Sequence, residues 1–266
     1  MRRFFLIDLH CHILPGLDDG AENFNESLQM AAVAEKDGVH TLLATPHTRN
    51  GSYESPPTRV RELTAQLQQR ISAAGIDVTI LPGAEVHICS DMARKVKAGE
   101  VGTVNDSGRY LLVEFPFQTL PEGWRRELFQ LNLGGVIPIV AHPERIFEFQ
   151  RRFELFYELV EMGCLMQVTA MSITGELGGP AMKCAHRLLK QRMVHIIASD
   201  AHSADNRPPA LAAGMAAAAS VLGDTAAAGE MVLERPAAVL RGEPVSVPEP
   251  VRSEDRKWWT IFQRKR

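Results

Sequence analysis

The side chains of this chain that could do chemistry are imidazoles and carboxylates, and they recur where short apolar runs end. His10-Cys11-His12 follows Phe5 to Leu9, Thr45-Pro46-His47 follows Thr41 to Ala44, and Gly83-Ala84-Glu85 follows Val78 to Leu81. Glu114 lies inside Tyr110 to Phe115. Ala141-His142-Pro143-Glu144-Arg145 closes Val136 to Val140, and Ser199-Asp200-Ala201-His202 closes Val194 to Ala198. Imidazole and carboxylate are ligands of divalent transition metals. In His10-x-His12 and Asp200-x-His202 the two-residue period of a strand aims both side chains at one face. Asp19, in Leu17-Asp18-Asp19-Gly20, completes nine candidate ligands: His10, His12, Asp19, His47, Glu85, Glu114, His142, Asp200 and His202. That is more than one or two metal ions require, and no thiolate cluster accompanies them to suggest structural zinc.

A lone histidine at a strand end is ordinarily a hydrogen-bonded structural residue, and one His-x-His is weak evidence. Six agreeing strand ends are another matter, and Glu114 would be costly to bury unpaired. A metal centre is therefore the stronger reading. His40, His186 and His195 fall in or beside helical segments or at strand starts and stay outside it. His87, two residues past Glu85, is within reach of a substrate, and Cys11 alternates away into the core.

The elements that must position these residues are seven continuous apolar runs, the six above and Leu165 to Val168, of the kind that form buried parallel strands. Helical stretches separate them. Asn25 to Asp37 stops at Gly38, and Thr58 to Ala74 spaces Val60, Leu63, Leu67 and Ile71 by three and four before Gly75. Leu128 to Leu133, Phe153 to Met162, Pro180 to Arg192 and Pro209 to Leu222 fill later gaps. Strand–helix alternation repeated seven times specifies an α/β fold with parallel strands. Periodicity alone leaves an open sheet and a barrel in play, but in a parallel barrel all strand C-termini open on one face, where active sites sit. Residues 1–242 read as one domain, 243–251 as a connector carrying Pro244, Pro248 and Pro250, and 252–266 as a tail.

At 266 residues and 45% hydrophobic content the chain can bury one large core. No uncharged apolar run approaches the ~18 residues of a membrane span. His10 interrupts the first apolar run before a secretory signal develops, so the expectation is a cytoplasmic protein with free cysteines. The net charge of −3 divides into +4 for residues 252–266 and −7 for the rest. An acidic body argues against nucleic acid as substrate.

The string Asp8-Leu-His10-Cys-His12, with Thr45-Pro-His47, Ala141-His-Pro-Glu-Arg145 and Ala198-Ser-Asp200-Ala-His202, resembles the polymerase and histidinol phosphatase (PHP) superfamily. More closely it is similar to the bacterial tyrosine-protein phosphatases of capsule and exopolysaccharide biosynthesis, through His12-Ile-Leu-Pro-Gly-Leu-Asp-Asp-Gly20, Leu43-Ala-Thr-Pro-His47, Gly83-Ala-Glu85 and Leu112-Val-Glu-Phe-Pro116. The likeness runs from about residue 5 to 242. It implies a distorted (β/α)7 TIM-like barrel holding three divalent metal ions, Mn²⁺ foremost, with Fe or Zn as alternatives. By that likeness His10, His12, Glu85 and Asp200 hold the first metal; Glu85, Glu114 and His142 the second; Asp19, His47 and His202 the third. Arg145 and Arg207 match the arginines that the family places at the substrate phosphate. The implied partner is a tyrosine-phosphorylated protein, a membrane-associated bacterial tyrosine kinase.

Phosphate-ester hydrolysis makes physical sense of such a constellation. Paired metals lower the pKa of a water from ~16 toward neutrality, cationic groups meet the charge redistributed over phosphoryl oxygens, and a phenolate of reference pKa ~10 leaves with little help. A covalent cysteine route is excluded, because Leu17, Lys95, Ala170 and Lys190, not Arg, stand six residues after the four cysteines. A histidinol-phosphate or other small-molecule phosphatase would use the same metals. A nuclease is disfavoured by charge, an amidohydrolase by Glu114 where a bridging lysine is usual, and a pure binding role by the complete ligand set. In the tail, Trp258, Trp259 and Phe262 lie among six basic residues, a composition suited either to an anionic membrane at the inner face or to packing on the barrel or in an oligomer.

Overall fold

The computed structural model describes residues 5–49 and 51–252; the tail aromatics Trp258, Trp259 and Phe262 lie outside the described residues. Among the described residues nine strands form: β1 (Leu6–Cys11), β2 (Val39–Ala44), β3 (His47–Thr48), β4 (Thr79–Pro82), β5 (Glu85–His87), β6 (Tyr110–Glu114), β7 (Ile137–Ala141), β8 (Leu165–Thr169) and β9 (Ile196–Ala198). All seven expected runs are strands, but the second and third are each followed by a separate short strand that carries a candidate ligand. Pro46, with no N–H to give to a ladder, stands between β2 and β3. Gly83, after Pro82, stands between β4 and β5.

Every pairing is parallel. The breaks divide the strands into a three-stranded sheet, β1-β2-β4, and a six-stranded sheet, β3-β5-β6-β7-β8-β9. Beyond the end of β9 the chain returns to β1: Asp200 N donates to His10 O at 2.8 Å and His12 N to Ala201 O at 2.8 Å. The fold is α/β and barrel-like, distorted at the strand breaks. The bonds that bring last strand to first run through the candidate ligands themselves.

Helices cover the outside. Phe24–Asp37 begins at Asn23, whose side chain accepts from the amides of Asn25 and Glu26, and ends at Gly38 in the left-handed region (φ 92°). Pro57–Ala73 buries Val60, Leu63, Leu67 and Ile71, the stripe read from the sequence. The Ala-rich helix starts at Ala212 rather than Pro209 because Asp37 Oδ2 accepts from the amides of Leu211 and Ala212, capping it from another helix. Short helices at Met92–Lys97, Phe147–Arg151, Ala170–Thr174, Thr225–Glu230 and Glu234–Leu240 had no clear periodic signal.

Residues 243–252 form no helix or strand and lie along the body. Tyr110 Oη donates to Glu243 O (2.6 Å), Val251 N to Gln191 O (2.9 Å) and Tyr157 Oη to Val251 O (3.1 Å). Among the described residues no helix is long and apolar enough to cross a membrane.

Candidate metal centre

All nine candidate ligands meet at the C-terminal ends of the strands. Their ligand atoms fall into four overlapping sets, each within 4.8 Å: His12, Asp19, His47 and His202; His10, His12 and Glu85; His10, His142 and Asp200; and His47, Glu85 and Glu114. These groupings resemble, without reproducing, the three sets that family likeness implied. His47 stands between Asp19 (3.5 Å) and Glu85 (2.9 Å), and His142 reaches Glu85 Oε1 at 2.9 Å while sharing a set with His10 and Asp200.

Glu85 is the hub. Its Oε2 lies 3.2 Å from His10 Nε2, 3.4 Å from His12 Nε2 and 2.9 Å from His47 Nδ1. Yet Glu85 Oε2 and His47 Nδ1 are buried without a hydrogen bond, as is His142 Nδ1. Glu85 Oε2 and His47 Nδ1 thus face each other without the geometry of a hydrogen bond, while His142 meets Glu85 through its other nitrogen. Burial disfavours the Glu85 carboxylate, but His10, His12 and His142 outweigh that and hold it well below the usual carboxylate range. Burial likewise opposes a charge on His47, and the neighbouring Glu114 and Glu85 carboxylates still push its pKa up to about 10. The carboxylates demand positive charge, as protons or as metal cations. Imidazole and carboxylate donors, orphaned and convergent, fit divalent metals.

Three imidazoles are turned by a bond at the opposite nitrogen. His10 Nδ1 donates to Gln167 Oε1 (2.8 Å), His12 Nδ1 to Asp18 Oδ2 (2.7 Å) and His202 Nδ1 to Asp200 O (3.0 Å), so each Nε2 faces the cluster. Asp18 also accepts from the amides of Gly20 and His47, tying the loop to β3. Gly20 is sterically required there, since a Cβ would come 2.0 Å from His12 O. Asp8 accepts from Ser199 N (3.0 Å) and His10 N (3.2 Å), and burial pushes its carboxyl up to about 6 in spite of those bonds. Glu144, equally buried, accepts from Thr169 N and Ser172 Oγ and so pins the end of β8 and the short helix after it to the turn after β7. His142 (φ 32°) and Asp200 (φ 54°) hold left-handed backbone, a cost of roughly 1–3 kcal/mol each that surrounding structure must sustain.

Gln167, Asp18, Asp8 and Glu144 escaped the sequence reading. Gln167 gave the clearest overlooked signal, one amide inside the apolar run Leu165–Thr169. Asp8 extends the strand period to Asp8-x-His10-x-His12. His87 Nδ1 lies 3.4 Å from Glu114 Oε2, at the edge of the cluster. Cys11, Cys164 and Cys184 are buried with thiol pKa values pushed up by that burial, Cys164 to about 12. His40, His186 and His195 bond to backbone away from the site, as expected.

Arg145 and Arg207 complete the floor. Both donate to Asp200 Oδ2, Arg207 Nη2 at 2.5 Å, and Arg207 also reaches Asp200 O at 2.9 Å. Burial opposes the Asp200 charge, but His10, His12 and Arg207 together hold its carboxyl well below the usual range.

Residues 6–241 match the family model for capsular polysaccharide synthesis, CpsB/CapC. The chain belongs to the CpsB/CapC family. It is 39% identical over 202 residues to the tyrosine-protein phosphatase YwqE of Bacillus subtilis, covering 76% of this chain and 79% of YwqE. It is 32% identical over 209 residues to the tyrosine-protein phosphatase CpsB of Streptococcus pneumoniae, covering 77% and 86%. A solved structure from work on YwqE and CpsB, described as metal-dependent tyrosine phosphatases, superposes with a TM-score of 0.87 at 34% identity over 93% of this chain and all of that one. A Listeria monocytogenes lactonase shares the fold alone, at a TM-score of 0.55 and 8% identity. The superposition with a CpsB/CapC structure supports the barrel reading of the two sheets.

Proposed function

We propose that this CpsB/CapC protein is a metal-dependent protein-tyrosine phosphatase of capsule or exopolysaccharide synthesis. The observation that carries the reading is the convergence of His10, His12 and His47 nitrogens on one unbonded Glu85 oxygen, with two arginines beside it. His10, His12, Asp19, His47, Glu85, Glu114, His142, Asp200 and His202 would hold three divalent cations, Mn²⁺ foremost. When bound, such cations acidify a water and screen phosphoryl oxygens, which permits direct displacement at phosphorus without a covalent enzyme intermediate.

The protein's own groups orient that chemistry. Gln167, Asp18 and the Asp200 carbonyl fix the imidazole tautomers so that no ring needs to turn. Arg145 and Arg207 carry forked donors that a phosphoryl group can take over from Asp200, and a guanidinium holds two oxygens at once where an ammonium cannot. High thiol pKa values at the buried cysteines agree with a route that uses no thiolate.

The partner in this reading is a tyrosine-phosphorylated protein, and within it a membrane-associated tyrosine kinase. The protein would work in the cytoplasm, with the Trp- and Arg-rich tail offering peripheral contact at the inner face of the membrane, and oligomers are compatible with it. The test is a substrate panel. Phosphotyrosine peptide, histidinol phosphate and an amide are compared after metal stripping and Mn²⁺ addition. Phosphotyrosine should have the highest kcat/KM; preference for histidinol phosphate would move the reading to a small-molecule phosphatase.

A further inference from the structure

The metal cluster has an aromatic lip that the reaction so far does not use. Phe117, just beyond β6, is 40% exposed although it is a large apolar ring. Its ring stacks on His142 at 5.5 Å with an interplanar angle of 16°, and the Arg145 guanidinium lies 5.0 Å from its centroid. Phe117 and Arg145 form one wall of a hollow of about 350 Å³, completed by Gln118, Gln150, Leu177, Pro180 and Ala181. Phe147, also exposed, is tied to this wall, its amide donating to Phe117 O at 2.9 Å. Across the cluster Tyr53 lies nearly parallel to His47, with centroids 6.1 Å apart.

A half-exposed phenylalanine costs hydration free energy, and here it is held beside a cationic arginine that reaches into the cluster. The hollow is apolar along Leu177, Pro180 and Ala181, polar at Gln118 and Gln150, and cationic at Arg145, whose guanidinium donates to the candidate ligand Asp200. A small alkyl phosphate would leave it empty. A phosphorylated aromatic side chain would fill it, with its ring against Phe117 and its phosphoryl group at Arg145.

We propose that Phe117 and this hollow form the subsite for the substrate's aromatic ring, selecting aryl over alkyl phosphomonoesters. This inference rests on the phosphatase reading above, and it assigns to Phe117 a binding role rather than a chemical one. An aromatic pair contributes about 1.4 kcal/mol at the upper end, equivalent to about tenfold in kcat/KM.

The test uses the full-length metal-loaded enzyme and Phe117→Ala, with Phe117→Tyr as the conservative variant. Each is assayed with a phosphotyrosine peptide and a phosphoserine peptide of the same sequence, with inorganic phosphate as competitive inhibitor and with metal content measured. Phe117→Ala should lower the phosphotyrosine-to-phosphoserine ratio of kcat/KM about tenfold, mostly through KM, and Phe117→Tyr should restore it. The inhibition constant of phosphate and the metal content should stay within about twofold. Equal losses on both peptides, or a weakened phosphate inhibition, would overturn the subsite and leave Phe117 as packing for His142 and Arg145. A wild-type enzyme inactive on the phosphotyrosine peptide would instead overturn the phosphatase reading itself.

Discussion

The Nε2 atoms of His10 and His12 stand 3.1 Å apart, with the Nδ1 of each ring committed to a separate acceptor, Gln167 for one and Asp18 for the other. Two imidazoles fixed in this way present lone pairs to the same point, an arrangement that a cation satisfies. The carboxylate that faces the pair is Glu85, at 3.2 Å from His10 and 3.4 Å from His12. Glu85→Ala should therefore lower kcat at least thirtyfold, from a barrier increase of roughly 2–4 kcal/mol, while circular dichroism reports an intact fold. Retention of more than a tenth of wild-type kcat would remove Glu85 from the catalytic centre.

The orienting groups can be tested without touching a ligand. Gln167→Ala frees the His10 ring and Asp18→Ala the His12 ring, and loss of such a partner costs about 10–100-fold in metal affinity. Titration against a competing chelator measures this. Wild-type affinity in both variants would mean that backbone packing alone orients the two histidines.

How much of this was legible beforehand follows from physical range. The period of two along β1 and the polar residues closing apolar strands are local, so the ligands and the parallel α/β fold could be read directly. The division of two strands at Pro46 and Gly83 could not, because it depends on which strand each fragment meets: β3 pairs with β5, away from β2. Gln167 is 157 residues from His10 and Asp37 caps a helix at Leu211. Bonds of that span leave no mark in local spacing. Residues 253–266 of the tail, whose composition prompted a membrane reading, fall beyond the described residues.

Arg145 and Arg207 share the Asp200 carboxylate, and their separate replacement by Ala should lower kcat and kcat/KM together if they act mainly in the transition state. Lysine at either position should recover only part of the loss, since it lacks the bidentate fork. Steady-state kinetics of the four variants decides it. Unchanged kinetics at one position would return that arginine to a role in bracing Asp200.

His195 gives a pH signature independent of the metals. It is buried, its Nδ1 accepts from Met166 N at 2.9 Å, and burial together with the Arg235 charge lowers its pKa to about 3. The unfolded chain takes up this proton near pH 6.5, the fold only near 3. The residue therefore costs nothing above ~6.5 and destabilises progressively as pH falls, by about 2 kcal/mol at pH 5. Urea unfolding at pH 7 and pH 5 should accordingly show a smaller acid loss for His195→Gln than for wild type. Parallel losses in the two proteins would show that His195 is protonated in the fold.

In the proposed function the cluster around Glu85 hydrolyses phosphotyrosine through bound metal. The most direct measurement is phosphate release from a phosphotyrosine peptide by chelator-stripped protein, before and after Mn²⁺ is restored, with wild type and Glu85→Ala side by side. The expected result is negligible release from the stripped protein, recovery on Mn²⁺ addition in the wild type alone, and no effect of prior thiol alkylation. Full activity in the stripped protein, or equal recovery in Glu85→Ala, would contradict it.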